Sequence, residues 1–141
     1  MKKKKLLITG SLILVLGISI YAFYIINYTF RINNNHIYKV VLIFDDYDAE
    51  PKSVSIEDSH EISDVFSGIH KSKKIGDITK CPFRRYKIIL YTKKGEIEIF
   101  VAGDGCNSYK HELDCYKFPN HINKKIIDLF KTHFGDSVFL Y

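Results

Sequence analysis

The chain has 141 residues, 46% of them hydrophobic and 14% aromatic, with a formal net charge of +5. That apolar content excludes a wholly disordered chain. The charge does not point to nucleic acid: Lys2, Lys3, Lys4, Lys5 and Arg31 supply the excess, and residues 32–141 hold 16 basic and 16 acidic side chains, whereas a nucleic-acid surface needs clustered positive charge on the folded domain.

The first predicted element is the uncharged stretch 6–26, LLITGSLILVLGISIYAFYII. Its 21 residues match the ~20 apolar helical residues that a bilayer core of about 30 Å requires. The run is longer than a signal-peptide apolar region, and Ala22 has Ile20 two places before it, a poor cleavage context. The expectation is an uncleaved signal-anchor helix. Residues 1–5, with Lys2 to Lys5, form a basic segment retained on the cytoplasmic side. Tyr21, Phe23, Tyr24, Tyr28 and Phe30 suit the opposite headgroup zone. The corresponding address is the cell membrane of a bacterium, single-pass, with residues 27–36 as a stalk and 37–141 as an extracytoplasmic domain.

In that domain, residues 38–44 (YKVVLIF) form an apolar run with side chains pointing both ways, predicting a central strand covered on both faces. Asp45, Asp46, Asp48, Glu50 and Pro51 predict a turn. Val54 and Ile56 alternate with serines over 53–57, which predicts a half-exposed strand. Asp58 with Glu61 predicts a capping-box start. Ile62, Val65, Phe66 and Ile69 form the apolar stripe of the following helix. His70, Lys71, Lys73 and Lys74 crowd its end, and Gly76 stops it.

Residues 84–92 and 96–101 predict a hairpin through Thr92-Lys93-Lys94-Gly95-Glu96. Leu90 is expected opposite Ile97, and Ile88 opposite Ile99. Gly103-Asp104-Gly105 ends the second strand, and 113–118 (LDCYKF) is a further strand. Pro119-Asn120 opens a last helix whose stripe is Ile122, Ile126, Ile127, Phe130 and Phe134, with Gly135 closing it. Residues 138–141 add a short strand. The fold class is α+β: an N-terminal transmembrane helix, then a mostly antiparallel sheet with two helices on one face, in the order ββαβββα.

Ser55-Ile56-Glu57-Asp58, Ile62, Phe66, Lys73-Lys74, Gly76, Pro82 and Tyr86-Lys87-Ile88 are together similar to the small YhfM-like domains. This resemblance spans roughly residues 53–130. It implies a small domain of membrane- or lipid-anchored extracytoplasmic proteins of Gram-positive bacteria. The chain departs from the lipid-anchored members, having no cysteine in its first 31 residues to acylate. The resemblance implies no reaction, so no functional residue follows from it.

The three cysteines, Cys81, Cys106 and Cys115, allow at most one internal bridge. Cys106–Cys115 closes a short step and ranks slightly ahead. Cys81–Cys106 is the alternative, since their numbers sum to 187, as those of the hairpin partners do. Three free buried thiols are the competing state. Cys106, His111 and Cys115, with Cys81 as a fourth ligand, also give a thiolate–imidazole set suited to zinc, without the usual closely spaced first pair.

Asp45, Asp46, Asp48 and Glu50 lack the loop glycine and distal glutamate of an EF-hand, and Asp104 reads as a turn residue. His60 and His70, or His121 and His133, do not share a helix face. No nucleophile elbow, phosphate-binding loop or paired-histidine metal motif occurs. The sequence therefore names no catalytic residue and no cofactor. The leading function is a non-enzymatic module that binds a protein partner or the cell envelope, for instance an immunity-like neutraliser. The alternatives are a small-ligand or zinc sensor built on Cys106, His111 and Cys115, and an envelope hydrolase.

Overall fold

A computed structural model describes residues 11–23, 37–47, 49–76, 81–103 and 105–139. Residues 11–23 form helix α1, whose side chains are exposed all round. At 1.5 Å per residue, those 13 residues extend about 20 Å, short of the about 30 Å of a bilayer core. Among the described residues no helix is long and apolar enough to cross a membrane. The expected transmembrane helix over 6–26 is therefore corrected, and the single-pass membrane address and extracytoplasmic placement go with it. The stretch has 21 uncharged residues, but helix is described over only 13 of them. The basic segment 1–5, the stalk 27–36 and Tyr24, Tyr28 and Phe30 lie outside the described residues.

The remaining elements are β1 (Ile37–Phe44), β2 (Lys52–Ile56), α2 (Ser59–Phe66), β3 (Lys73–Ile75), β4 (Tyr86–Thr92), β5 (Gly95–Val101), β6 (Ser108–His111), β7 (Asp114–Lys117) and α3 (Asn120–Phe134). The strands make one antiparallel sheet in the order β2-β1-β4-β5-β6-β7-β3. The α+β class and the packing of α2 and α3 on one sheet face agree with the sequence reading, but the expected order ββαβββα is corrected to ββαβββββα, with β3 and β6 added.

The β4–β5 hairpin has the expected register, with Leu90 opposite Ile97 and Ile88 opposite Ile99. Its two-residue turn leads into Gly95 at φ +129°, a backbone region that disfavours a Cβ. The Thr92 hydroxyl tightens the turn by donating to the Gly95 carbonyl at 2.8 Å and accepting from the Lys94 N–H at 3.2 Å.

Helix α2 begins at its aspartate and ends sooner than its apolar stripe suggests. The Asp58 carboxylate accepts from the His60 N–H at 2.8 Å and the Glu61 N–H at 2.9 Å, satisfying two of the donors that a helix start leaves open. The helix stops at Phe66, and Ile69–Lys71 continue as a 3-10 turn. A Cβ on Gly68 would meet His121 Nε2 at 3.0 Å and Ile122 at 3.1 Å. The start of α3 thus crosses the chain where a longer α2 would continue. Lys73 and Lys74, expected at the helix end, instead lie in β3 and pair with Lys117 and Tyr116 of β7.

The Glu61 and His60 N–H bonds, the former the larger effect, hold the Asp58 carboxyl below its usual pKa. With the folded-state value depressed, the cap's contribution is fully present above the unfolded value of about 4 and is lost as pH falls through the folded value. The Glu61 amide proton resonance is expected to move upfield on acidification in the native protein. In Asp58→Asn most of that movement over pH 2–5 should be lost. An equally large movement of the Glu61 amide in that variant would remove Asp58 as the cause.

One cluster forms the core. Val40, Leu42, Phe44, Tyr86, Ile88, Leu90, Ile99, Val101 and Tyr109 face Ile62, Val65, Phe66, Ile122, Ile126, Leu129 and Phe130 from the helices. In α3, Leu129 takes the buried place expected of Ile127, which is half-buried. Of the short strand expected over 138–141, residues 138 and 139 lie instead in a 3-10 turn at Asp136–Phe139, where the Val138 carbonyl accepts from the Tyr86 hydroxyl, and 140–141 lie outside the described residues. Tyr109 is fully buried, packed on Phe118 and Tyr116 with ring centroids 4.3 and 5.3 Å away. Burial pushes the Tyr109 phenol far above the usual tyrosine pKa, against the opposing effect of the neighbouring Ser72 hydroxyl.

Candidate functional site

Strand alternation sends every second side chain away from the helices, and the register aligns these residues across the sheet. One row runs Ser53, Ile43, Lys87, Phe100, Lys110, Cys115, Ile75. A second runs Ser55, Val41, Ile89, Glu98. Val41, Ile43, Ile89 and Phe100 are half-buried here, whereas Val40, Leu42, Ile88 and Ile99 on the helix side are 0% exposed. The expectation that β1 is covered on both faces is thus corrected: its second apolar set belongs to an open sheet face.

Lysine stems provide part of the cover. Lys87 lies over the Phe100 ring, Nζ 5.5 Å from the centroid, and pairs with Glu98. Lys39 lies 5.8 Å over Tyr91 and pairs with Glu57 at 3.1 Å. Such side chains lay their methylenes on apolar surface and keep the charge in water. His111 Nδ1 sits 2.8 Å from the Glu98 carbonyl oxygen and ties the end of β6 to β5. The result is an apolar centre with a rim of paired charges. Each half-exposed ion pair contributes little stability, about 0–1 kcal/mol.

The cysteines settle differently from the favoured pairing. Cys81 and Cys106 are bonded, with Cα atoms 6.3 Å apart, and Cys115 is a buried free thiol. The paired register itself ends at Tyr86 opposite Val101; beyond it the Gly103 N–H donates to the Pro82 carbonyl at 3.1 Å and draws the segments of Cys81 and Cys106 together. Cys115 lies on β7 opposite Lys110, so the Cys106–Cys115 bridge does not form. With two of its sulfurs in the disulfide, the Cys81, Cys106, His111, Cys115 zinc set is not assembled. Among the described residues no three His, Cys, Asp or Glu side chains converge as a metal site would require.

The acidic turn is held by an arginine. The Arg85 guanidinium donates to Asp46 Oδ1 at 3.1 Å and packs 5.3 Å from the Tyr47 ring, so Asp45, Asp46 and Glu50 read as turn residues. Asp48 and Asp104 lie outside the described residues. His133 Nε2 lies 3.5 Å from Glu61 Oε1, joining α3 to α2, and no hydroxyl or thiol hydrogen-bonds to that nitrogen. Lys125 pairs with Asp64 across the same helix interface.

Fold and face together define a small α+β domain with a one-sided helical cover and an open antiparallel sheet. No family model, curated protein or solved structure matches the chain. The resemblance to YhfM-like domains gains no support from these comparisons.

The sequence did not point to the open face. Its signal was present in residues 38–44, where apolar side chains occupy both parities, but a strand buried on both sides gives the same pattern.

Proposed function

We propose that this protein is a non-enzymatic binding module that engages a protein partner through the open face of its sheet. The observation that supports this reading is the half-buried set Val41, Ile43, Ile89 and Phe100, contiguous in register and on the face opposite α2 and α3. Apolar side chains in such a row gain most by burial against another surface. The lysine and glutamate rim orients the partner and adds little affinity. The partner that fits is a protein presenting apolar side chains beside a carboxylate that can meet Lys110, since Lys39 and Lys87 already pair with Glu57 and Glu98.

The reading is tested by placing a photo-reactive amino acid at position 100 or at position 124 of the full chain. Lys124 is an exposed residue of α3, on the helical side. A discrete cross-linked protein is expected from position 100 alone, and it should vanish when Ile43 and Ile89 are both changed to Lys. Equal capture from both positions, or capture that survives the double change, would discard the open face as the binding surface.

A further inference from the structure

The open face is half-exposed along most of its length, but one end of it is closed. Ser108 is fully buried there, and its hydroxyl lies 3.9 Å from Cys81 Sγ. Ala102, whose N–H donates to the Ser108 carbonyl at 2.9 Å, is 5% exposed. Cys81 and Cys115 are 8% and 5% exposed. None of these residues belongs to the core cluster beneath the helices. Ser108 and Lys110 share a face of β6, with Lys110 opposite Cys115 and Ser108 opposite Lys117. Ser108 and Cys115 are therefore diagonal neighbours on one side of the sheet, at a Cα separation of about 7–8 Å. Cys81, which touches Ser108, and Cys115, diagonal to it, therefore both border Ser108 on this side of the sheet. Cys106 is half-buried at its margin.

We propose that Cys115 is an internal exchange partner for the Cys81–Cys106 disulfide. The Cys115 thiol loses its proton to solvent, and its thiolate attacks Cys81 Sγ. A Cys115–Cys81 bond forms as the Cys81–Cys106 bond breaks. The electron pair leaves on Cys106 Sγ, which takes up a proton. One disulfide and one thiol are present before and after, so no oxidant or reductant is consumed. Attack at Cys81 is favoured by its place beside Ser108. Departure of Cys106 is favoured by its contact with water, since a solvated thiolate leaves more readily than a buried one. The exchange hides the bond and presents Cys106 as a reactive thiol beside the open face, a chemical switch distinct from the binding reading above.

The test uses the full chain under native, reductant-free conditions, with acid quenching, alkylation and peptide mapping. Trypsin separates the cysteines into segments 81–84, 95–110 and 111–117, so every linkage is distinguishable. The expected result is an 81–84/111–117 linked pair together with alkylated Cys106, growing with time and faster in alkaline than in neutral buffer. Cys115→Ser should show only the 81–84/95–110 pair and no alkylated Cys106. If Cys115 is the sole alkylated residue at every pH and time, the proposal is overturned. A 95–110/111–117 pair with free Cys81 would overturn it equally, because the attacked sulfur would be the wrong one.

Discussion

Changing Phe130 to Ala is expected to cost about 3–5 kcal/mol, the range for truncating a buried aromatic ring. Phe130 is 0% exposed. Its ring meets Tyr86 edge-on with centroids 5.5 Å apart and lies 5.8 Å from Phe134. Phe44 closes the group, 5.6 Å from Tyr86 and 6.0 Å from Phe134. These four rings join α3 to β1 and β4, so the loss is of contact between layers and not within one element. Edge-to-face pairs add about 0.5–1.5 kcal/mol beyond area burial. A domain near 100 residues has about 5–15 kcal/mol in all, and each kcal/mol shifts Tm by about 4–8 °C. The melting midpoint by circular dichroism should fall by at least about 12 °C. Ile127→Ala, on the half-buried side of the same helix, should fall by only a few degrees. Equal shifts in the two variants would contradict the placement of the core.

That contrast bears on how legible the fold was. Leu129 and Ile127 are two residues apart and chemically alike, and an idealised stripe chose the wrong one. Helix periodicity identifies a face to within about one residue, and only the packing of α3 against the sheet selects its centre. The β4–β5 hairpin was readable to the residue because alternation on both strands and a glycine-bearing turn agree locally. Strand β3 was missed because Lys73-Lys74-Ile75 carries no strand pattern of its own and is extended by pairing with β7. Strand β6 was missed for a different reason. The β6–β7 turn places Glu112 at φ +53°, a region where Gly, Asn or Asp is the usual signal. With a glutamate there, the sequence announced one strand where the structure has a hairpin. The membrane segment failed on extent: apolarity was correctly read, but the described helix covers only 11–23.

The candidate face shows the same limit. Whether an apolar strand residue is buried depends on what lies over it, and nothing in residues 38–44 states how many layers the fold has. Two helices of 8 and 15 residues cover one side of a seven-stranded sheet, and both pack there because the buried parity is richer in large side chains. The other parity mixes Val41, Ile43, Ile89 and Phe100 with Lys87, Glu98 and Lys110. Such a mixture of apolar and charged side chains tolerates contact with water and is poorly suited to a core.

Removing the Cys81–Cys106 bond should destabilise the domain about as much as losing Phe130, by a different route. The bond spans 25 residues of sequence, enclosing the β4–β5 hairpin. In the chain-entropy account, closing such a loop restricts the unfolded chain by about 3.5 kcal/mol. The seven paired positions of β4 and β5 remain available to the reduced protein, so the folded sheet should persist. With a urea m-value of about 1–3 kcal/mol/M, the Cys81→Ser, Cys106→Ser double variant should unfold at a midpoint lower by roughly 1–3 M, with its native-state spectrum unchanged. The disulfide acts beside Ser108 on the open side of the sheet, and Phe130 acts against Tyr86 and Phe134 on the helical side. Their effects should therefore add to within about 0.5 kcal/mol. Strong non-additivity would mean that the two faces are coupled through the strands, and a change of partner on one face would then be felt on the other.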